Sequence, residues 1–124
     1  MRVRGMLGLA VALLSSVAGA SDLTIHLNGD EAVKRVTVKY QCDAQGTKIG
    51  LPSGVFSVDY LNGTANHLVV VPVKGSSMIF VTVPSGSGAK YAANQFTWWE
   101  AGGGTTFSSD FPGPKASSSC RTVR

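Results

Sequence analysis

Charged and metal-binding residues are scarce in this sequence of 124 residues. Asp, Glu, Lys and Arg make up 15% of it, and there are two His and two Cys. The histidines, His26 and His67, lie far from each other and from either Cys in the chain, so the sequence predicts no metal site and no cofactor. Apolar residues make up 44%, which is enough to form a core and excludes a disordered chain. The length corresponds to one domain.

Long apolar runs are absent after residue 20, and the first twenty residues are typical of a secretory signal peptide. Arg2 and Arg4 form a basic start, residues 6–17 are almost wholly apolar, and residues 18–20 have the small side chains of a cleavage site. We therefore predict an exported, soluble domain over residues 21–124. No Cys lies at the cleavage site, so we expect no lipid anchor and no stable membrane attachment.

The exported domain has little excess charge. Without Arg2 and Arg4, nine Lys and Arg face seven Asp and Glu, which leaves a net charge of +2. These cations are scattered along the chain and form no stripe that could neutralise many phosphates. The sequence therefore predicts no nucleic-acid partner.

Export also decides the state of the two cysteines, Cys42 and Cys120. Because exported proteins fold in an oxidising compartment, the sequence predicts one disulfide between them. Such a bond would pin the C-terminal tail to an early strand and contribute up to about 4 kcal/mol in the chain-entropy model.

Apolar residues recur at every second position from Leu23 onward, which is typical of β-strands. The clearest run is 35–42, where Val36, Val38, Tyr40 and Cys42 share one face. Further runs predict strands at 23–27, 55–61, 68–71, 78–83, 96–99 and 105–107, with a short extended piece at 48–51. Asn62-Gly63 is the strongest hairpin signal. No helix of useful length is predicted, and residues 112–119 form a tail with little local structure.

Seven or eight short strands joined by Gly and Pro turns describe a small closed or sandwiched all-β domain. We predict a small antiparallel β-barrel of about eight strands, because closure removes exposed strand edges. Trp98 and Trp99 are adjacent in one strand and must point to opposite faces, so one of them belongs to the core.

Catalytic motifs are absent. Ser87 lies between two glycines, but no helix follows it, so it lacks the strand-to-helix turn of a hydrolase nucleophile. Asp43 and Asp59 could act as a carboxylate pair only if the fold brought them together, with or without the histidines, in one pocket. We predict that the protein is not an enzyme.

The segment from Ser87 to Gly102 joins a Gly/Ser loop to an aromatic run. Its residues Ser87, Gly88, Ala89, Lys90 and Tyr91, followed by Phe96, Trp98, Trp99 and Gly102, resemble the SGx[RK]Y and WW-x-K-G signatures of the MliC/PliC family of c-type lysozyme inhibitors. The similarity can be followed along most of residues 21–124, including a Tyr-x-Cys at the end of the 35–42 strand and a late Cys.

The resemblance implies a periplasmic β-barrel with a Cys42–Cys120 disulfide that inhibits c-type lysozyme and so protects the cell wall. The loop carrying Ser87 would enter the active-site cleft of the lysozyme, where its hydroxyl would bind a catalytic carboxylate. The residues expected to form this loop and its lysozyme contact are Ser87, Gly88, Ala89, Lys90, Tyr91 and Ala101, with Phe96, Trp98 and Trp99 as supporting aromatics. Tyr91 is also expected to anchor the loop in the core.

One position departs from the family pattern. Where the family has the Lys of W-x-K-G, this chain has Ala101, and Glu100 before it is expected to repel the carboxylates of a lysozyme. Lys90 or Lys48 could supply the missing cation if the fold places either one nearby. The alternative hypothesis is an exported barrel of the same family with a different target, such as another muramidase or a cell-wall fragment.

Overall fold

The computed structural model describes residues 5, 8, 20–29 and 32–124, and these form a closed antiparallel β-barrel with one short helix. Each strand pairs with the next along the chain, and β8 pairs with β1 to close the barrel. The predicted all-β fold is therefore confirmed. The elements are β1 (Lys34–Cys42), α1 (Ala44–Lys48), β2 (Val55–Asn62), β3 (His67–Val73), β4 (Ser76–Val83), β5 (Ala89–Ala93), β6 (Phe96–Ala101), β7 (Gly104–Ser109) and β8 (Ala116–Thr122).

The core fills the barrel interior with side chains from alternate positions of its strands. Phe56, Val58 and Tyr60 of β2 point inward, as the alternation predicted. Trp98 is fully buried, whereas Trp99 is 37% exposed on the outer face. The prediction that the two tryptophans point to opposite faces is therefore confirmed. Trp98 packs edge-on against the Tyr40 ring, with 5.0 Å between the ring centroids.

The disulfide between Cys42 and Cys120 is formed. The two residues are directly opposite each other in the β1–β8 pairing, where the first and last strands meet. The disulfide therefore links the first and last strands covalently at the seam where the barrel closes.

The strand predicted at 23–27 is wrong. Residues 20–28 have no regular structure, and Leu23, Ile25 and Leu27 are exposed. The alternation of apolar residues is present, but a strand also needs a neighbour for its backbone hydrogen bonds. β1 pairs with β2 on one side and, over residues 40–42, with β8 on the other, and no strand of the described residues pairs with residues 20–28.

The C-terminal tail was predicted to have little local structure, and this is also wrong. Ala116–Thr122 forms β8, which pairs with β7 on one side and with β1 on the other. Serine has a low strand propensity, but two neighbouring strands supply β8 with backbone partners on both sides, and this outweighs the propensity. Ser118 points into the barrel and is almost fully buried.

Two connections differ from their predicted form. The extended piece expected at 48–51 is wrong, because Lys48 is the last residue of α1, a single helical turn that begins after the N-cap residue Asp43, and residues 49–50 form a turn. At Asn62-Gly63 the chain does form a hairpin, but four residues, 63–66, connect β2 to β3. A two-residue turn instead joins β3 to β4 at Lys74 and Gly75, both with positive φ, as a type I′ turn requires.

Asp43 ties α1 to β8. Its carboxylate accepts hydrogen bonds from the Ser118 hydroxyl at 2.7 Å, the Ser119 N–H at 3.1 Å and the Gln45 N–H at 3.1 Å. The bond from Ser118 is the largest cause that lowers the pKa of Asp43 below its ordinary value of 3.8, and the backbone bond from Ser119 comes next.

We expect Asp43→Asn to lower stability at neutral pH but not in acid. Because the folded-state pKa of Asp43 is depressed, the carboxylate stabilises the fold above the unfolded-state pKa, and this contribution is lost as the pH falls through the folded-state pKa. Melting temperatures of both proteins measured from pH 2 to pH 7 should therefore differ at pH 7, and the difference should start to shrink below about pH 4 and disappear below the folded-state pKa of Asp43. Ser118→Ala removes the largest cause of the pKa shift, so the difference between the melting temperatures at pH 7 and in acid should also be smaller in this variant than in the native chain. A constant gap across the whole pH range would contradict this account.

Candidate functional site

The connections of the barrel alternate between its two ends. The β2–β3 loop (63–66), the β4–β5 loop (84–88) and the β6–β7 turn (102–103) lie at one end, which we call the loop rim. The helix α1 follows β1 and therefore lies at the opposite end. Lys48 in α1 thus lies at the end of the barrel opposite Ser87, which leaves Lys90 of the two candidate cations.

The structure does not bring the candidate carboxylates together. Asp43 caps α1 at the end opposite the loop rim. Asp59 lies on the outer face of β2, where it accepts hydrogen bonds from Thr37 and Arg35, and these bonds lower its pKa. Within the described residues, no group of three His, Cys, Asp and Glu is placed to hold a metal ion.

Gly88 sets the path of the β4–β5 loop. Its φ is +64°, a conformation that residues with a side chain rarely adopt. A Cβ atom at this position would overlap the carbonyl oxygen of Glu100 and come within 3.0 Å of the Cα atom of Ala101. The loop therefore lies directly on the backbone at the end of β6. This contact brings Gly88 beside Ala101, the position at which the sequence departs from the family.

Ser87 is exposed and its backbone is held from two sides. The Ser87 carbonyl oxygen accepts a hydrogen bond from the Ser85 hydroxyl at 2.6 Å and another from the Trp99 indole N–H at 3.0 Å. Both donors act on the backbone, so the side chain of Ser87 is presented at the surface of the loop rim.

Lys90 and Trp99 lie opposite each other on the outer face of β5 and β6. The Lys90 Nζ atom is 5.6 Å from the centroid of the Trp99 ring, within the range of a cation–π contact. Ala101 is on the same face of β6, two residues beyond Trp99. Ser87, Gly88, Lys90, Trp99 and Ala101 are thus brought together on the surface of the loop rim, whereas the neighbouring Ala89 packs its side chain against the core.

Tyr91, Phe96 and Trp98 face the interior instead. Tyr91 is buried and packs edge-on against the Tyr60 ring, with 6.2 Å between the centroids. Burial is the main cause that raises the pKa of Tyr91, and the negative charge of Glu100 adds to it. Tyr91 and Trp98 pack in the barrel core, whereas Phe96, at the start of β6, lies at the end opposite the loop rim, where the Lys74 ammonium is 5.6 Å from the centroid of its ring. All three are buried and present no surface to a partner.

Glu100 was expected to face a lysozyme, but its side chain turns into the barrel mouth. Its Oε1 atom accepts hydrogen bonds from the hydroxyls of Tyr40 and Tyr60, and the two hydroxyls are 2.7 Å apart. The Trp98 indole N–H donates to the Tyr60 oxygen at 3.0 Å. Burial is the main cause that raises the pKa of both tyrosines, so they remain neutral donors. The inward direction of Glu100 could have been predicted from the sequence, because strand alternation places Glu100 on the same face as Trp98.

A shallow depression of about 460 Å³ opens beside the loop at the same rim. Glu100 and Ala101 form one side of it, the glycine turn 102–104 another, and Arg121 and Thr122 at the end of β8 a third. Gly88 lines it as well, so the depression adjoins the Ser87 loop and belongs to the same surface.

A disulfide-linked barrel that presents one firmly held loop beside an open depression has the architecture of a protein-binding module. A family model described as "Membrane-bound lysozyme-inhibitor of c-type lysozyme" (MliC) matches residues 40–114, which include every residue of the loop and of the strands beneath it. The chain therefore belongs to the MliC family.

Named relatives agree with this assignment. The chain is 41% identical over 90 residues to a "Membrane-bound lysozyme inhibitor of C-type lysozyme" from Pseudomonas aeruginosa, a match that covers 72% of this chain and 65% of that protein. A protein of the same description from Cupriavidus necator is 35% identical over 97 residues, which cover 75% of this chain and 71% of the relative. The match thus spans slightly less than two thirds of the Pseudomonas protein.

A solved structure shares the fold. The crystal structure of Pseudomonas aeruginosa MliC in complex with hen egg white lysozyme matches with a TM-score of 0.65 and 34% identity, covering 85% of this chain and 99% of that one. In the part of this chain that the structure describes, no helix has the length and apolar character needed to cross a membrane.

Proposed function

We propose that this protein is a proteinaceous inhibitor of c-type lysozyme that places the Ser87 loop in the active-site cleft of the enzyme. The observation that carries this proposal is the geometry of the loop. Ser87 is exposed at the loop rim while its backbone is fixed by Ser85, Trp99 and the contact of Gly88 with β6. The relatives named as lysozyme inhibitors, and the relative crystallised with hen lysozyme, support the choice of target.

The mechanism that follows is occlusion without chemistry. A glycosidase of this kind holds two carboxyl groups about 5 Å apart in its cleft. An exposed hydroxyl on a rigid loop can donate a hydrogen bond to one of them, and a nearby ammonium can pair with the other. Ser87 would serve as the hydroxyl and Lys90 as the cation, because Ala101 has no charge. The inhibitor is bound stoichiometrically and is not turned over.

The cellular location belongs to the same proposal. We propose that residues 1–20, which lie almost entirely outside the described residues, are a signal peptide and that the barrel acts in the periplasm, where it protects peptidoglycan from lysozyme. The mass of the protein recovered from a periplasmic extract tests this, since a mass that still includes residues 1–20 would contradict cleavage after Ala20.

The experiment for the main proposal is lysis of cell walls by a c-type lysozyme in the presence of increasing amounts of oxidised protein, residues 21–124. We expect near-stoichiometric protection by the native chain. Ser87→Ala should raise the inhibition constant about tenfold to hundredfold, the range for a hydrogen bond to a charged group. Equal protection by the native chain and Ser87→Ala would show that the loop is not the inhibitory element.

A second candidate, a barrel of this family with another target, is favoured by one observation, the Ala at position 101. The variant Ala101→Lys separates the two. If the native chain binds c-type lysozyme, Ala101→Lys should tighten inhibition by about tenfold, since a close charge pair at an interface contributes at least that much. If the native chain gives no protection and only Ala101→Lys protects, the scaffold is retained but the native target is different.

A further inference from the structure

Trp99 touches the loop at two points from the outer face of β6. Its indole N–H donates to the Ser87 carbonyl oxygen at 3.0 Å, and its ring lies 5.6 Å from the Lys90 ammonium. Ser87 and Lys90 are the two residues that the proposed mechanism sets against the lysozyme carboxylates. One side chain therefore contacts both of the groups that would act on the target.

The loop needs such a restraint because its own sequence gives it little stiffness. Gly86 and Gly88 flank Ser87, and glycine loses more conformational freedom on ordering than any other residue. A loop that is mobile before binding must be ordered during binding, which weakens affinity, whereas a loop already held in place avoids this cost. The register adds to the restraint, because Lys90 is directly opposite Trp99.

We propose that Trp99 is the positioning residue of the inhibitory loop. Its N–H fixes the Ser87 carbonyl, and with it the direction of the Ser87 side chain, while its ring holds the Lys90 ammonium on the face where the family has its Lys. This inference rests on the proposed function and specifies how this chain presents a hydroxyl and a cation with Ala at position 101.

The first test examines the free protein and needs no lysozyme. Trp99→Phe removes the N–H and keeps an aromatic ring, Trp99→Ala removes both, and Ile79→Ala is the matched control, because Ile79 is 42% exposed on another strand. Thermal melts establish that each variant folds. Backbone ¹⁵N relaxation should give order parameters near roughly 0.85 at Ser87 and Gly88 in the native chain, falling towards roughly 0.6 in Trp99→Phe. Ile79→Ala should leave them unchanged.

The second test is inhibition by the same variants. Trp99→Phe should raise the inhibition constant about fivefold to tenfold, as expected for one hydrogen bond, and Trp99→Ala should raise it further because Lys90 is also released. The double variant Ser87→Ala/Trp99→Phe distinguishes positioning from direct contact. If Trp99 acts through Ser87, the double variant should inhibit as Ser87→Ala does.

The order parameters and the inhibition constants together test whether Trp99 positions the loop. Unchanged order parameters in Trp99→Phe overturn the proposal, as do a mobile loop with an unchanged inhibition constant and fully additive effects in the double variant. If the native chain fails to inhibit, the proposed function is overturned, and the order parameters still show whether Trp99 holds the loop. Increased loop mobility together with weaker, non-additive inhibition supports the proposal.

Discussion

Gly88→Ala is expected to abolish useful inhibition, raising the inhibition constant at least about a hundredfold. A methyl group at this position would overlap the carbonyl oxygen of Glu100, which belongs to a paired strand and cannot move aside. The positive φ of Gly88 is also unfavourable for Ala, by roughly 1–2 kcal/mol. The loop would have to lift off β6, which would carry Ser87 away from its position. Titration of lysozyme activity with the variant measures the effect.

The matched control lies two residues away in the same loop. A methyl group on Gly86 would have nothing within 4 Å in the free protein, and Gly86 has no positive φ, so Gly86→Ala should leave the path of the loop unchanged and inhibit lysozyme much more strongly than Gly88→Ala. Gly88→Ala should also unfold at lower temperature, because the strain falls on the free protein. Equal inhibition by the two variants would mean that the contact of Gly88 with β6 does not place the loop.

The paired substitution Cys42→Ala/Cys120→Ala should lower the free energy of unfolding by up to about 4 kcal/mol. The disulfide spans a separation of 78 residues and joins the first strand to the last. Its removal therefore raises the conformational entropy of the unfolded chain and so favours unfolding. Small domains have only about 5–15 kcal/mol of stability in total. Urea denaturation of the native and substituted proteins, analysed with the m-value free to vary, gives the difference.

Chemical reduction of the native chain provides the control for this second prediction. It breaks the same bond without deleting side-chain atoms, so the reduced chain and the double variant should have similar stabilities. A loss below about 1 kcal/mol in both would show that the eight-strand pairing holds the seam without the bond. A loss in the double variant alone would point to the small cavity left by the two sulfur atoms.

The sequence predicted those parts of the fold in which local pattern and final environment agree. In β2, Phe56, Val58 and Tyr60 alternate with polar residues and pack inward, and the Trp98-Trp99 pair divides between core and surface as strand geometry requires. The same pattern failed over residues 23–27, because alternation reports a possible face and not the presence of a neighbouring strand. For the Ser-rich β8 the error was the reverse, because a strand forms where none was predicted. Its stability comes from its two neighbouring strands and not from its composition.

The candidate site was predictable in its residue types but not in its arrangement. The motif around Ser87 could be found by resemblance, whereas the choice between Lys48 and Lys90 depended on which connections share an end of the barrel. Alternation with Trp98 predicts the inward direction of Glu100, but not its partners, the hydroxyls of Tyr40 and Tyr60, which lie 60 and 40 residues away in sequence. Contacts between residues so far apart in sequence are set by the closed topology of the barrel, and a short stretch of sequence does not reveal them.

The up-and-down order of the strands has a practical consequence for anyone attaching this protein to something else. β8 ends at the loop rim, where Arg121 and Thr122 line the same depression as Gly88, so a tag, a fluorophore or a resin linked after β8 should crowd the Ser87 loop and obstruct an incoming enzyme. The β7–β8 connection around Pro112 and Gly113 is exposed at the far end of the barrel. A circular permutant could be opened at this connection, with its former termini joined. A tag would then be attached at the end opposite the loop rim, and the Ser87 loop would stay accessible to an enzyme.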